Sequence, residues 1–301
     1  MEIRIEHLDY IYGQGTSYEK KALSDVSLTI HGGEFIGIIG HTGSGKSTLV
    51  QHLNGQNRAS GGAVYVDGKN IYEEGYPMRE LRFRVGLVFQ YPEYQLFETT
   101  VLRDVCFGPK NQGLSDEEAR SRAQKAMRMV GLDESYEEKS PFELSGGQKR
   151  RVAIAGILAM NPETLVLDEP TAGLDPRGRD DILGVLKKLH DESGITIVLV
   201  SHSMDDVANY ADRIIVMDSG KVLFDDIPSV VFSHVGELEE VGLAAPQVTY
   251  IMRSLKSRGW NVRDDVTSLQ EAADEIMKEL GMAPEDDISA RKDGKAKTDL
   301  C

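Results

Sequence analysis

The sequence predicts an α/β fold: a small antiparallel β-layer near the start, a parallel-sheet core, a helical insertion, and a short helical extension after the core. Three observations carry this. Gly-rich turns at Gly32-Gly33, Gly61-Gly62 and Asp67-Gly68 punctuate the early β-type runs, which suits an antiparallel layer. Thr164-Leu165-Val166-Leu167 and Ile195-Thr196-Ile197-Val198-Leu199-Val200 are apolar almost throughout, as parallel strands covered on both faces must be. Helical periodicity dominates two blocks, about 99–160 and 227–285.

In chain order, alternating or β-branched runs mark strands near 2–6, 26–30, 35–39, 63–67 and 85–89. Further strands fall near 164–168, 195–200, 213–217 and 221–225. Within the insertion, Ser115-Asp116-Glu117-Glu118 has the pattern of a capping box, and apolar residues recur at helical spacing through Met129. After Asp226, short helical stretches alternate with Pro228, Gly242 and Pro246. The chain therefore divides into a body over 1–226, an extension over 227–285 and a Lys/Asp-rich tail over 286–301 that is expected to be disordered.

Bulk properties exclude several roles. A formal net charge of -15 argues against a general nucleic-acid binder, since phosphate contacts need clustered Lys and Arg. It argues equally against spontaneous adhesion to anionic lipid, so any contact with a membrane would run through a protein partner. The two cysteines, Cys106 and Cys301, are too few for a disulfide framework and lack metal-ligand spacing. The first residues alternate apolar and charged without a signal-peptide core, and no run of about 18 apolar residues occurs. A cytoplasmic globular protein is expected.

Gly40-His41-Thr42-Gly43-Ser44-Gly45-Lys46-Ser47-Thr48 contains G-x-x-x-x-G-K-[ST] in full, between the strand Phe35–Ile39 and a helical run from Thr48 to Leu53. Glycines let backbone N–H groups turn onto phosphates, and the helix N-terminus adds favourable partial charge. Lys46 is placed to reach the β- and γ-phosphates and Ser47 to ligate Mg²⁺.

Asp168-Glu169 closes the apolar strand that starts at Thr164. Side chains alternate along a strand, so the two acids take different roles. Asp168 suits Mg²⁺ and Glu169 the attacking water. Gln90 ends another apolar strand, where its amide can reach both Mg²⁺ and the water, and His202 follows the strand ending at Val200. Either residue alone would be an ordinary strand-end side chain; together with Glu169 they read as a γ-phosphate cluster. Leu144-Ser145-Gly146-Gly147-Gln148 then precedes a second helix whose first turn exposes free N–H groups to an anion. One nucleotide has little use for two such termini from one subunit.

On these residues the chain resembles the ATPase subunits of ABC transporters over nearly all of 1–226, with the LSGGQ signature at 144–148 as the most specific element. The resemblance implies a P-loop NTPase fold with a RecA-like core and a helical subdomain. It implies ATP and Mg²⁺ as ligands, with Ser47, Gln90 and Asp168 at the metal and Glu169 and His202 catalytic. It also implies that two subunits pack head to tail, each ATP lying between one P-loop and the partner's signature. Ser145, Gly146, Gly147 and Gln148 would then act in trans, Asp175 of Gly173-Leu174-Asp175 would cross the interface, and Tyr12 would stack on adenine. Tyr10 and Tyr18 stand nearby.

Three segments, Gly40–Gly43, Phe89–Glu98 and Gln148–Gly156, look like the ATPases of energy-coupling factor (ECF) transporters, nearest the A-prime-type subunit. That resemblance extends to a C-terminal dimerisation segment around 242–262. It implies peripheral attachment to the cytoplasmic face of the membrane and uptake of a vitamin or transition-metal ion. The partners it implies are a second ABC ATPase, a paralogue or another copy, with a multi-span scaffold (T component) and substrate-binding membrane subunits (S components). Direct membrane insertion and nucleic acid have no place in it. Two other readings stand beside it: a soluble ABC ATPase without a membrane partner, and a scaffold module that holds ATP without turning it over.

Overall fold

A computed structural model describes residues 1–282. The tail expected over 286–301 and the last residues of the extension lie outside them. Two sheets form the frame. The first is antiparallel, ordered β2-β1-β4-β5, from β1 (Ile3–Tyr12), β2 (Lys20–Ile30), β4 (Gly61–Val66) and β5 (Lys69–Asn70). The second has the order β10-β9-β3-β8-β7-β6. Its parallel members are β3 (Phe35–Ile39), β6 (Val85–Val88), β7 (Thr164–Asp168), β8 (Thr196–Val200) and β9 (Arg213–Asp218), with β10 (Lys221–Asp226) antiparallel at the edge.

The apolar strands of the second sheet feed two cores at once, because successive side chains leave on opposite faces. Ile36 and Ile38 of β3, Val166 of β7, and Val198 and Val200 of β8 pack toward the antiparallel sheet. Phe35, Ile39, Leu165, Leu167, Ile197 and Leu199 face the helices on the other side. Every one of these side chains is at most 1% exposed.

Helices surround this frame. α1 (Lys46–Leu53) follows β3, and α2 (Met78–Arg84) leads into β6. The block expected to be helical contains α3 (Val101–Asn111), α4 (Asp116–Met129) and α5 (Gly146–Leu158). Ser115 starts α4 with a capping box closed by Glu118, as the sequence pattern requires. α6 (Pro176–Ser193) and α7 (Met204–Tyr210) connect the last parallel strands. Beyond β10 come α8 (Pro228–Val231), α9 (Val235–Glu240), α10 (Gln247–Ser257) and α11 (Leu269–Glu279). α10 and α11 share a small core of their own, built on Val248, Met252, Val262, Val266 and Ala272. Cys106 is a buried free thiol whose pKa burial pushes up.

Two strands run longer than the alternation indicates. β1 was expected only over 2–6 and β2 only over 26–30, because a bulge interrupts each. His7 (φ 47°) and Asp25 (φ 54°) both stand in left-handed backbone, with their side chains 2.7 Å apart across the ladder. A bulge shifts the inside-outside alternation by one residue, so the sequence pattern breaks while the strand continues.

Gly37 shows how tightly the sheet is covered. A Cβ there would lie 2.8 Å from Val207 Cγ1 of α7. Gly37→Ala should destabilise the fold by roughly 1–3 kcal/mol through overpacking, with part of the loss recovered in the Gly37→Ala/Val207→Ala double variant. Urea midpoints of the three proteins measure this, and an unshifted single variant would show that α7 yields without cost.

Candidate functional site

β3, β8, β7 and β6 lie side by side and end at one edge of the sheet. The Gly40–Gly45 loop leaves β3, Gln90 follows β6, Glu169 follows β7 directly, and His202 follows β8. Open α/β sheets bind ligands at this edge, where the carboxyl ends of the strands meet loops and helix N-termini.

The loop is built from conformations that favour glycine. Gly40, Gly43 and Gly45 have φ of 155°, 85° and 106°, and a Cβ on Gly40 would strike the Met217 carbonyl and the Ser44 hydroxyl. The β9–β10 turn braces it from behind. Gly220 N–H donates to Ser44 O at 2.9 Å, and His41 turns outward to place Nε2 2.9 Å from Asp218 Oδ1. Ser44 is fully buried. Gly40, His41 and Ser44 thus shape the loop, while Thr42, Gly43, Gly45, Lys46, Ser47 and Thr48 line the cavity it encloses, about 450 Å³.

Lys46 is 5% exposed, and its ammonium donates to Gly40 O at 2.7 Å and His41 O at 3.0 Å. Burial pushes its pKa below the ordinary lysine value, while the charges of Glu169 and Asp168 act the other way. A buried cation under a ring of glycine backbone attracts an anion such as a phosphate. Asp168 is 6% exposed, and burial raises its pKa, opposed by the Ser47 hydroxyl. Its Oδ1 has no hydrogen-bond partner among the described residues. An unsatisfied carboxylate oxygen beside a serine hydroxyl fits a hard divalent cation.

Glu169 breaks from the extended backbone where β7 ends. Its backbone N–H still donates to Val200 O at 3.0 Å, yet its φ of 51° swings the side chain into the cavity. There Gln90 Nε2 donates to Glu169 Oε2 at 2.9 Å, and His202 Nε2 lies 2.5 Å from Oε1. Tyr12 lines the same cavity, its hydroxyl 3.1 Å from Thr48 Oγ1 and its ring edge-on to Tyr10 at 4.8 Å. Of the three nearby tyrosines, Tyr18 is 88% exposed and Tyr10 packs against His52.

The signature segment lies elsewhere. Ser145, Gly146, Gly147, Gln148 and Asp175 line a second cavity of about 550 Å³ that shares no lining residue with the first. Among the described residues, a Cβ on Gly146 or Gly147 would meet nothing within 4 Å, so the helix end is open. The three polar side chains among them are already engaged. Gln148 closes a capping box with Ser145 and donates to Tyr136 Oη at 3.1 Å, while Asp175 accepts the Gly178 N–H at 2.7 Å as the cap of α6.

Sequence reasoning missed Arg150, which is 2% exposed and donates to Glu93, Pro170 and Ala172. A signal was present: Arg150, Ile154 and Leu158 recur at i, i+4 on the buried face of α5, so a charge stands in an apolar stripe.

The family model for ABC transporters matches residues 23–172. The chain is 58% identical over 279 residues to the energy-coupling factor transporter ATP-binding protein EcfA2 of Clostridium tetani, covering 92% of this chain and 97% of that one. It is 48% identical to the protein of the same name from Enterococcus faecalis, covering 95% and 99%. Among solved structures it resembles cbiO1 of Clostridium perfringens, part of the ABC transporter complex cbiONQ, with TM-score 0.71 and 40% identity over 83% of this chain and 98% of that one. It also resembles the dimeric ATP-binding cassette MJ0796 bound to ADP and Pi, with TM-score 0.66 and 33% identity over 75% and 98%.

The raised pKa of Asp168 has a consequence for stability. A carboxyl raised on folding stabilises the fold fully below its ordinary value of 3.8, and that contribution is lost as pH rises through the raised value. At neutral pH the ionised group therefore costs stability. Asp168→Asn should raise the urea midpoint of the nucleotide-free protein at pH 7. A lowered midpoint would show that the carboxylate is satisfied by its neighbours.

Proposed function

The chain belongs to the ABC transporter family as an ATP-binding protein of the energy-coupling factor type, and from that premise we propose how its residues work. It is an ATPase that powers uptake. The observation that carries the hydrolytic reading is Glu169, with one carboxylate oxygen held by Gln90 and the other by His202 at the mouth of the phosphate-loop cavity.

ATP enters with its phosphates in the Gly40–Gly45 loop and its adenine against Tyr12. Lys46 exchanges its two carbonyl acceptors for phosphate oxygens. Ser47, Asp168 and Gln90 would hold Mg²⁺, which would neutralise charge on the phosphates when bound. Glu169 then accepts a proton from the attacking water, while Gln90 and His202 fix the direction of its lone pairs. A module that only holds ATP would have no need of this arrangement.

The signature segment lines none of that cavity, so Ser145, Gly146, Gly147 and Gln148 serve ATP on a second subunit, with Asp175 at the seam. ATP binding closes this dimer and hydrolysis opens it. The second subunit is a paralogue or another copy of the chain. The 227–285 extension supports pairing, and exposed Ile251, Leu269 and Leu280 suit that use.

No helix among the described residues is long and apolar enough to cross a membrane. The chain sits peripherally on the cytoplasmic face, against a multi-span scaffold that carries substrate-binding subunits for a vitamin or transition-metal ion. The segment after Gln90 leads to the docking surface. Leu96, Phe97, Phe107, Gly156, Ile157 and Met160 line an apolar groove of about 320 Å³ beside Tyr94, which is 84% exposed. The soluble-ATPase reading leaves this groove without an occupant.

Two substitutions test the proposal. Glu169→Gln should keep ATP affinity, lower kcat by at least about 100-fold and trap a closed dimer on size exclusion with ATP; a wild-type rate would remove Glu169 from the role of base. Gly147→Val places its side chain in open space, so its melting temperature should stay within a few degrees of wild type while ATP-dependent closure fails. Normal closure of that variant would rule out the trans contact.

A further inference from the structure

Arg150 joins three segments that the hydrolytic site needs in register. It lies on α5, the helix that begins at the signature. Its Nε and Nη2 donate to the two carboxylate oxygens of Glu93 at 3.1 and 2.7 Å, three residues after Gln90. Its Nη1 donates to the Pro170 and Ala172 carbonyls, both at 2.8 Å, in the turn that follows Glu169. One rigid guanidinium thus holds the roots of both Gln90 and Glu169, the side chains that meet at 2.9 Å in the cavity. The fork geometry matters, because a bidentate carboxylate pair plus two carbonyls uses donors whose directions are fixed in one plane. Arg150 is 2% exposed and Glu93 16%, so the guanidinium has almost no solvent alternative to this set of partners.

We infer that Arg150 is a positioning residue that makes the Gln90–Glu169 geometry of one nucleotide site depend on the seating of the same chain's signature helix. That helix serves the other nucleotide, so the guanidinium carries the state of one composite site to the hydrolytic groups of the next. The inference rests on the trans-dimer and Glu169 readings above. Arg150 lines neither of the two cavities, so it acts only through the loops it ties. Lysine in its place keeps the charge but offers three donors on a single nitrogen, where the guanidinium makes four bonds from three nitrogens in one plane.

The test uses the full chain in its membrane complex, comparing Arg150→Lys, Glu93→Gln, their double variant and Glu169→Gln. Arg150→Lys should lower kcat about tenfold, the scale expected when reacting groups are misplaced by a fraction of an ångström, and leave KM for ATP within about twofold. Glu93→Gln should lower kcat in the same direction, and the double variant should match Arg150→Lys instead of multiplying the two effects. A wild-type kcat in Arg150→Lys, a loss confined to KM, or fully multiplicative effects would each overturn the inference. Should Arg150→Lys fail to assemble, Glu93→Gln decides alone: a fall in kcat at constant KM supports the tie, and an unchanged kcat refutes it. An inactive Glu169→Gln beside a normal Arg150→Lys removes only this inference, whereas an active Glu169→Gln removes the reading beneath it.

Discussion

Glu169 stands in left-handed backbone at the point where β7 stops, and the chain around it is arranged to keep it there. A residue other than glycine in that region costs on the order of 1–3 kcal/mol and persists only where its surroundings over-determine it. The surroundings here are specific. The backbone N–H is spent on Val200, each carboxylate oxygen has a partner, and the following turn is clamped by Arg150. The regular β7–β8 pairing up to Asp168 supplies the fixed edge from which this departure is measured.

The same edge explains why a sheet buried on both faces suits this chemistry. Strands covered on two sides cannot shift register without moving apolar residues from one core to the other. Their ends are then fixed relative to each other, and four loops from adjacent strands meet with little freedom. The helices add the second requirement, an open signature terminus that lines a separate cavity.

Much of this was legible in the sequence for a physical reason. Each chemical residue follows an apolar run that can only be a covered strand, so Gln90, Asp168, Glu169 and His202 announce their own positions. The phosphate loop is legible because its glycines serve backbone geometry, which a pattern of residue types records directly. Other features depend on partners distant in sequence. Asp25 and His7 build bulges that the alternation cannot express. The second engagement of Gln148, on Tyr136, belongs to a fold contact, and Arg150 acquires meaning only when Glu93 and Pro170 are seen beside it.

The bracing of the phosphate loop by the β9–β10 turn has a kinetic meaning. Gly220 and Asp218 hold the loop through Ser44 and His41, and Gly40 leaves no room for a side chain between it and Met217. A cradle already in its working shape surrenders little conformational entropy when its ligand arrives. Capture of nucleotide is then governed by encounter, and departure of product by how fast the mouth is uncovered. On the proposed dimer, the pace of the cycle would then be set at the seam between subunits, with the loop itself a passive mould.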